Sequence, residues 1–197
     1  PTSTYLPFEQ IKSFVERVPE DVTVILDEAY IEFQTADDPD ATFSLLERHE
    51  NLVLLRTFSK SHSLAGLRVG YAVGSPEFSA GVDAVRQPFS VNALAQAAAV
   101  EALIHGERVR DQIRIAIQER ERVEAGVTAI GLESADTQAN FSWLSLGERG
   151  EQIEDHVVAD LASAGIVVRP GRLLGGPGRL RVSYGTIEED DRFLAAL

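Results

Sequence analysis

Short apolar runs alternate with segments of helical spacing along the first part of the chain. Residues 7–18 repeat apolar side chains at the spacing of one helix face, and the β-branched run at 22–26 then predicts a buried strand. Further apolar runs at 52–56 and 68–74 predict two more strands. Strands of this type, separated by loops and helices, favour a mostly parallel sheet that is covered by helices. The first part of the chain is therefore predicted to be α/β.

Helical signals dominate the middle of the chain. Ser75, followed by a proline and a glutamate, predicts the start of a helix over 76–86. The alanine-rich stretch 92–104 is a strong helix former. Residues 107–130 place apolar side chains near one face with arginines and glutamates elsewhere, which is typical of a solvated connecting helix rather than a surface that binds a partner.

Beyond residue 130 short strands and helices alternate again. The predicted elements are strands at 141–146, 166–169 and 180–184, a helix at 151–165, and a last helix that begins at the capping box of Thr186 and Glu189. This pattern predicts a small α+β domain. Three parts are therefore expected: residues 1–106, a connecting helix over 107–130, and a C-terminal domain over 131–197.

Composition and charge narrow the classes of function. The chain has 197 residues, 44% of them apolar, and a formal charge of −13. The apolar content is enough for a core, which excludes general disorder, and the acidic balance disfavours binding to nucleic acid or to an anionic membrane. No run is long enough to span a membrane and no signal peptide is evident, so a cytoplasmic location is expected. Without cysteine, and with four histidines at no ligand spacing, no metal site is expected.

Asp27 stands directly after the first predicted strand, and Tyr30 follows it three residues later. Ligands of open α/β sheets bind at the carboxyl ends of the strands, which makes this a favourable place for chemistry. A carboxylate here can serve as a metal ligand, a general base or the partner of a buried cation. An acid that merely caps the loop is the alternative.

The basic residues are 16 arginines and only two lysines, Lys12 and Lys60. Lys60 follows the second predicted strand, and a lysine, unlike an arginine, can lose its proton and form a Schiff base. Near it stand two hydroxyls, Thr57 and Ser59, and a guanidinium, Arg68. This set suits a phosphate group beside a reactive amine. An ordinary surface lysine, as Lys12 is taken to be, is the alternative.

Four segments resemble a known family: ILDEAYIEF, RTFSKSHSLAGLRVGYAVGSPE, PFSVNALAQAAA and LRVSYGT. They are similar to the fold type I aminotransferases that use pyridoxal 5'-phosphate, in particular the histidinol-phosphate aminotransferases and their aromatic, phenylalanine-type relatives. The resemblance covers nearly the whole chain. It implies the second part of a mostly parallel, three-layer α/β large domain, followed by a small α+β C-terminal domain.

The resemblance also implies a role for seven residues. Lys60 binds the cofactor covalently, Asp27 pairs as a buried carboxylate with the ring nitrogen, Tyr30 hydrogen-bonds the phenolic oxygen, Ser59 and Arg68 bind the phosphate with Thr57 as a weaker candidate, and Arg181 binds the α-carboxylate of the substrate. Arg169 is left open between a structural and a functional role. His62 stands where relatives carry small or aromatic residues, and it either alters substrate preference or is merely tolerated.

The implied reaction moves an amino group between an aromatic or imidazole-bearing donor and 2-oxoglutarate. Phenylalanine, tyrosine and histidinol phosphate are not separated as donors, and amino-acid biosynthesis and a homodimer are implied as well. A decarboxylase that uses the same cofactor is one alternative, and a non-catalytic acidic domain is another.

One departure from the family concerns the start of the chain. Family members carry a motif that ends in Pro-Thr-Gly, whereas this chain begins with Pro1, Thr2 and Ser3. The chain is therefore expected to be a fragment of a longer enzyme. The glycine-rich phosphate loop and the aromatic residue that stacks on the cofactor ring would lie in the first half, so an isolated fragment need not be active.

Overall fold

The computed structural model describes residues 2–197, and the chain divides into two compact units. One unit is Leu6–Gln112, and the other is Ile113–Leu197 together with the N-terminal residues through Tyr5. The three-part division at residues 106 and 130 stays a prediction. Within the described residues, no helix is both long and apolar enough to cross a membrane.

The Leu6–Gln112 unit is built on a sheet of three strands: β1 (Val24–Asp27), β2 (Leu52–Thr57) and β3 (Gly70–Val73), in that order. β1 and β2 are parallel, as expected, but β3 runs antiparallel to β2, so the sheet is mixed. A parallel pairing needs a crossover, usually a helix, between the strands. The segment between β2 and β3 contains only the 3₁₀ turn Ala65–Leu67, and the chain turns back beside β2 instead.

The helices are α1 (Phe8–Val15), α2 (Phe43–Leu46), α3 (Pro76–Val85), α4 (Ala93–Ile104) and α5 (Gly106–Ala129), the last of which contains the boundary between the units. Two of them, α3 and α4, begin at residues whose side chains cap the helix. Ser75 Oγ accepts the backbone N–H of Phe78 at 3.2 Å, and Asn92 Oδ1 accepts that of Ala95 at 2.8 Å. These bonds satisfy N–H groups that a helix start leaves without a partner.

Two apolar clusters hold the Leu6–Gln112 unit together. The first joins the β1–β2 sheet to α1 and α2 through Val15, Val24, Leu45, Leu52 and Leu54. The second consists of Phe58, Val69, Ala95 and Ala99 and packs the segment between β2 and β3 against α4. Lys60 lies in that segment, so the second cluster supports its position.

The other unit contains a four-stranded antiparallel sheet in the order β4-β5-β7-β6. Its elements are β4 (Glu133–Ser134), β5 (Phe141–Ser145), α6 (Gly150–Ser163), β6 (Arg169–Pro170), β7 (Arg179–Ser183) and α7 (Ile187–Ala196). The predicted bounds of the strand at 166–169 are wrong, because Arg169 is the only one of these four residues that pairs with β7. Ile166 and Val168 pack on the apolar core instead of joining the sheet. The capping box of Thr186 and Glu189 is confirmed.

A buried acidic side chain, Asp190, lies between α7 and α5. It is 3% exposed, and its Oδ1 accepts the backbone N–H of Gly185 at 3.0 Å. Glu119 of α5 neighbours it and is also buried, with both Nε and Nη2 of Arg122 donating to Glu119 Oε2. Burial, together with the nearby Glu119 carboxylate, raises the pKa of Asp190.

This raised pKa predicts a stability that falls as pH rises. The folded chain holds the Asp190 proton more tightly than the unfolded chain does, so the free energy of unfolding decreases from the unfolded pKa up through the folded one. Asp190→Asn removes this titration and keeps an oxygen for Gly185. We expect the variant to be more stable at neutral pH by about 1 kcal/mol, with a shallower pH dependence.

Urea unfolding between about pH 4 and pH 8, followed by fluorescence of the single tryptophan, Trp143 in β5, measures this effect. Asp191→Asn is the matched control. Asp191 is exposed and pairs with Arg122, so its loss should change stability little. A loss of stability in Asp190→Asn at neutral pH would contradict the expectation.

Candidate functional site

A cleft of about 260 Å³ lies at the carboxyl ends of β1 and β2. The two strands are parallel, so the residues that follow them meet at one edge of the sheet. Asp27, Ala29, Leu55, Arg56, Thr57, Ser59, Lys60 and Arg68 line the cleft. The structure therefore brings together five of the residues predicted from the sequence, namely Asp27, Thr57, Ser59, Lys60 and Arg68.

Asp27 is the last residue of β1 and presents its carboxylate at the cleft. Its Oδ1 accepts the backbone N–H of Ala29 at 3.1 Å, which fixes the side chain in a tight turn. The expectation of a buried carboxylate is wrong for the chain as described, because Asp27 is exposed at the open side of the cleft.

Lys60 is half-buried, and its Nζ lies 5.0 Å from the centre of the Tyr30 ring. An ammonium at this distance is attracted to the ring face. Tyr30 belongs to the turn that follows β1, and Lys60 belongs to the segment that follows β2. The contact therefore joins the ends of the two parallel strands beside the cleft.

Hydroxyl and guanidinium groups form the other side of the cleft. Thr57 Oγ1 accepts the backbone N–H of Ser59 at 3.0 Å, and Arg68 Nη1 lies 3.5 Å from Ser59 Oγ. Arg68 Nη1 also donates to the carbonyl oxygen of Ala65 at 2.8 Å, so the guanidinium is held over the loop. Charged donors and hydroxyls grouped in this way suit an oxyanion such as a phosphate.

The segment that carries Lys60 adopts strained backbone conformations. Ser63 and Arg68 have φ angles of 58° and 55°, in the left-handed region, where residues other than glycine pay about 1–2 kcal/mol each. The bonds from Phe58 N to Val69 O and from Leu64 N to Phe58 O hold the segment closed. Such strain persists only where the surroundings enforce it, and it concentrates at functional sites.

Arg56 also lines the cleft, and Glu28 accepts a hydrogen bond from it; the sequence analysis did not identify either residue. Arg56 Nε donates to Glu28 Oε2 at 2.9 Å, and Arg56 Nη1 donates to Asp40 Oδ1 at 2.9 Å. The guanidinium lies over the Phe43 ring at 4.5 Å. The signal in the sequence was a charged residue within the apolar strand LVLLR, which needs a partner when it is buried.

Arg181 lies on β7 of the other unit. The guanidinium carbon of Arg181 is 3.9 Å from the centre of the Phe141 ring. In the sheet, Arg181 pairs directly opposite Arg169 of β6. Directly opposite residues of an antiparallel pair project from the same face of the sheet. Arg169 and Arg181 therefore lie on the same face of this sheet.

No group of three or more His, Asp or Glu side chains in the part of the chain that the structure describes is arranged to hold a metal ion. The cleft instead combines one amine, one carboxylate and a set of anion donors. An amine, a carboxylate and oxyanion donors are groups that an organic ligand with a phosphate can use.

A sequence model of the family "Aminotransferase class I and II" matches residues 1–197. The chain belongs to the class I and II aminotransferases. It is 40% identical over 192 residues to the histidinol-phosphate aminotransferase of Geobacillus thermodenitrificans (strain NG80-2), a match that covers 98% of this chain and 52% of that protein. It is 42% identical over 196 residues to the aromatic amino acid aminotransferase of Corynebacterium glutamicum (strain ATCC 13032), covering 100% of this chain and 53% of that protein.

The aminotransferase fold is also shared with solved structures. The histidinol-phosphate aminotransferase of Sinorhizobium meliloti, in complex with pyridoxal-5'-phosphate, superposes with a TM-score of 0.88 at 28% identity and covers 100% of this chain and 53% of that chain. This likeness confirms the predicted α/β fold of type I. The chain spans about half the length of the aminotransferases that it matches.

Proposed function

We propose that this chain carries the lysine-bearing part of the active site of a pyridoxal-phosphate-dependent aminotransferase. The observation that supports this most directly is the composition of the cleft. Lys60, Asp27 and the Ser59–Arg68 pair line a single space, although they come from the ends of two strands. Membership in the aminotransferase family is consistent with the same reading.

The residues of the cleft fit pyridoxal phosphate. The cofactor offers an aldehyde, a ring nitrogen and a phosphate, and the cleft offers an amine, a carboxylate and a group of oxyanion donors. Lys60 would hold the aldehyde carbon, Asp27 the ring nitrogen, and Ser59, Arg68 and Thr57 the phosphate. When bound, the cofactor supplies a ring that accepts electrons from the substrate Cα.

Lys60 would act in both binding and proton transfer. Its Nζ is the amine in the cleft, and an arginine in its place would stay protonated and could not act as a base. As a neutral amine, Nζ would take the proton from the substrate Cα and then, as an ammonium, donate it on the cofactor side, since returning it to Cα would leave the amino group on the substrate. The face of the Tyr30 ring limits where Nζ can move, and Tyr30 is proposed to place its hydroxyl at the phenolic oxygen of the cofactor.

Asp27 would keep the ring nitrogen charged. A carboxylate beside a protonated nitrogen favours the charged form and raises the pKa of that nitrogen. The bond from Ala29 N holds Asp27 in one orientation, which reduces the reorganisation that pairing requires.

Aromatic or imidazole-bearing amino acids are the proposed donors, with 2-oxoglutarate as acceptor. The names of the relatives support this range, because they include both histidinol-phosphate and aromatic amino acid aminotransferases. We also propose a homodimer in the cytoplasm that serves amino-acid biosynthesis.

Turnover of phenylalanine, tyrosine and histidinol phosphate with 2-oxoglutarate tests the proposal, measured on the 197-residue chain and on the complete gene product. Formation of glutamate supports an aminotransferase. Release of carbon dioxide without glutamate indicates the decarboxylase alternative, and no reaction with any donor in either form contradicts the proposal.

Arg181 is proposed to bind the α-carboxylate of the substrate. A guanidinium forms two parallel bonds to a carboxylate, and a lysine cannot reproduce this geometry. We expect Arg181→Lys to raise KM for the amino donor about 10- to 100-fold, with a smaller change in kcat. Steady-state kinetics measures this effect, with Arg192→Lys on α7 of the same unit as the matched control. An unchanged KM in Arg181→Lys would remove Arg181 from the substrate site.

A further inference from the structure

Ser3 joins the N-terminal segment, residues 2–5, to the start of β5. The segment and β5 belong to the same unit of the chain, which also contains Arg181. Ser3 Oγ lies 3.2 Å from the carbonyl oxygen of Phe141, the first residue of β5, and 3.2 Å from Thr137 Oγ1. Ser3, Thr137 and Phe141 are all buried. The proposed mechanism assigns no role to this contact.

The carbonyl oxygen of Phe141 points to the side of β5 on which β4 lies. Trp143 O accepts the backbone N–H of Ala135, directly after β4, at 3.1 Å, and carbonyl groups two residues apart point to the same side of a strand. β4 has only two residues and pairs with the last two residues of β5, so it does not reach Phe141. A buried carbonyl group in this place needs another donor.

Two hydroxyl groups supply the donors that a longer β4 would have supplied. Thr137 Oγ1 donates its one proton to Phe141 O at 2.7 Å. The Ser3 hydroxyl also has one proton, which it shares between Phe141 O and Thr137 Oγ1. On the other side of β5, Tyr184 N donates to Asn140 O at 3.3 Å. The start of β5 is therefore held from both sides.

The backbone of Ser3 is strained. Its φ angle is 54°, in the left-handed region that glycine adopts freely and other residues adopt at a cost. Strain of this kind persists only where the surroundings enforce it, and it concentrates at functional sites. A glycine would be the less strained residue here, so the hydroxyl group is what the serine contributes at this position.

The ring of Phe141 carries the guanidinium of Arg181, with the guanidinium carbon 3.9 Å from the ring centre. Phe141 pairs with Ser183, so Arg181 is its diagonal neighbour on the same face of the sheet. We propose that Ser3 is a positioning residue for Arg181. Its hydroxyl holds the Phe141 carbonyl, and the fixed ring then holds the guanidinium in one orientation. The value of this orientation for binding a substrate carboxylate rests on the proposed function, whereas the positioning itself does not.

Nuclear magnetic resonance of the Arg181 side chain tests the positioning on the cofactor-free, 197-residue chain. The ring current of Phe141 shifts the Nε–H resonance of Arg181, so this resonance reports the distance between the two groups. Ser3→Gly removes the hydroxyl and relieves the strained φ, and these two changes act on stability in opposite directions. We expect the Arg181 resonance in Ser3→Gly to move toward its value in Phe141→Leu, which lacks the ring.

Further variants make the result specific. Arg181→Lys assigns the signal among the 16 arginines. Ser3→Ala loses the hydroxyl but keeps the strain, and it should move the resonance in the same direction as Ser3→Gly. Thr4→Ala is the matched control, because this exposed hydroxyl of the same segment contacts Thr2. It should leave the resonance unchanged. Urea unfolding of each variant verifies that it is folded.

A double variant tests whether Ser3 acts through the Phe141 ring. In the Phe141→Leu background, Ser3→Gly should leave the Arg181 resonance unchanged, since the group that transmits the effect is absent. The positioning is overturned if Ser3→Gly leaves this resonance unchanged in the wild-type background. It is also overturned if Ser3→Gly shifts the resonance equally with and without the Phe141 ring.

Steady-state kinetics of the complete gene product connects the positioning to the proposed function. Ser3→Gly should raise KM for the amino donor about fivefold, the effect of about one hydrogen bond, while kcat changes by less than about twofold. A shifted Arg181 resonance together with an unchanged KM would contradict the proposed substrate role of Arg181 and would support the positioning. Failure of the positioning is therefore distinguishable from failure of the proposed function.

Discussion

Lys60→Ala should reduce transamination by about 10⁴-fold or more, because the variant loses both the amine that holds the cofactor and the base that moves the Cα proton. Lys60→Arg should be equally impaired. Its guanidinium keeps the positive charge but does not deprotonate at any physiological pH. Glutamate formation from 2-oxoglutarate, measured for both variants under saturating cofactor, checks this expectation.

Lys12→Ala is the matched control, because Lys12 is the only other lysine and lies on α1. It should keep wild-type activity. Activity of Lys60→Arg within tenfold of the wild type would show that this position provides only charge, and the proposed role of Lys60 would then be wrong.

Asp27→Ala should lower kcat by about 10²- to 10³-fold, the usual effect of removing one oriented electrostatic group from an active site. Without the carboxylate the ring nitrogen of the cofactor loses its proton more easily, and the ring accepts electrons less well. Covalent attachment at Lys60 should persist, so the defect is in catalysis rather than in loading. A titration of the bound cofactor by absorbance, alongside kcat, measures both effects.

Asp21→Ala serves as the comparison, since this exposed acid precedes the same strand but lies outside the cleft. Its kinetics should match the wild type. If Asp27→Ala also stays within about twofold of wild-type kcat, Asp27 does not carry the role assigned to it.

The sequence predicted the cleft because parallel strands place their carboxyl ends together. Asp27 and Lys60 each follow an apolar run of the kind that forms a buried strand. Polar residues that follow such a strand lie at the edge of the sheet where open α/β sheets bind their ligands. The helix starts at Ser75 and Thr186 were predictable for a local reason, since their capping bonds involve residues only three positions away.

Features that depend on contacts between distant residues could not be predicted in this way. The antiparallel direction of β3 follows from how the segment after β2 folds back, and an apolar run alone does not reveal strand direction. The Arg56–Glu28 pair joins residues 28 positions apart.

Exposure was the other property that the sequence could not supply. The family resemblance implied that Asp27 is a buried carboxylate. In the structure the carboxylate faces the open side of the cleft, where no described residue covers it. The burial of a side chain depends on every segment that packs around it. The hydrophobic pattern of the sequence describes only the segment that contains that residue.

Borohydride reduction shows which amine of the chain binds the cofactor. The protein is incubated with pyridoxal phosphate, reduced, digested and analysed by mass spectrometry. We expect one phosphopyridoxyl group per chain on the peptide that contains Lys60, with Lys12 unlabelled and labelling lost in Lys60→Ala. Labelling that is equal at Lys12 and Lys60, or that persists at another site in Lys60→Ala, would contradict it.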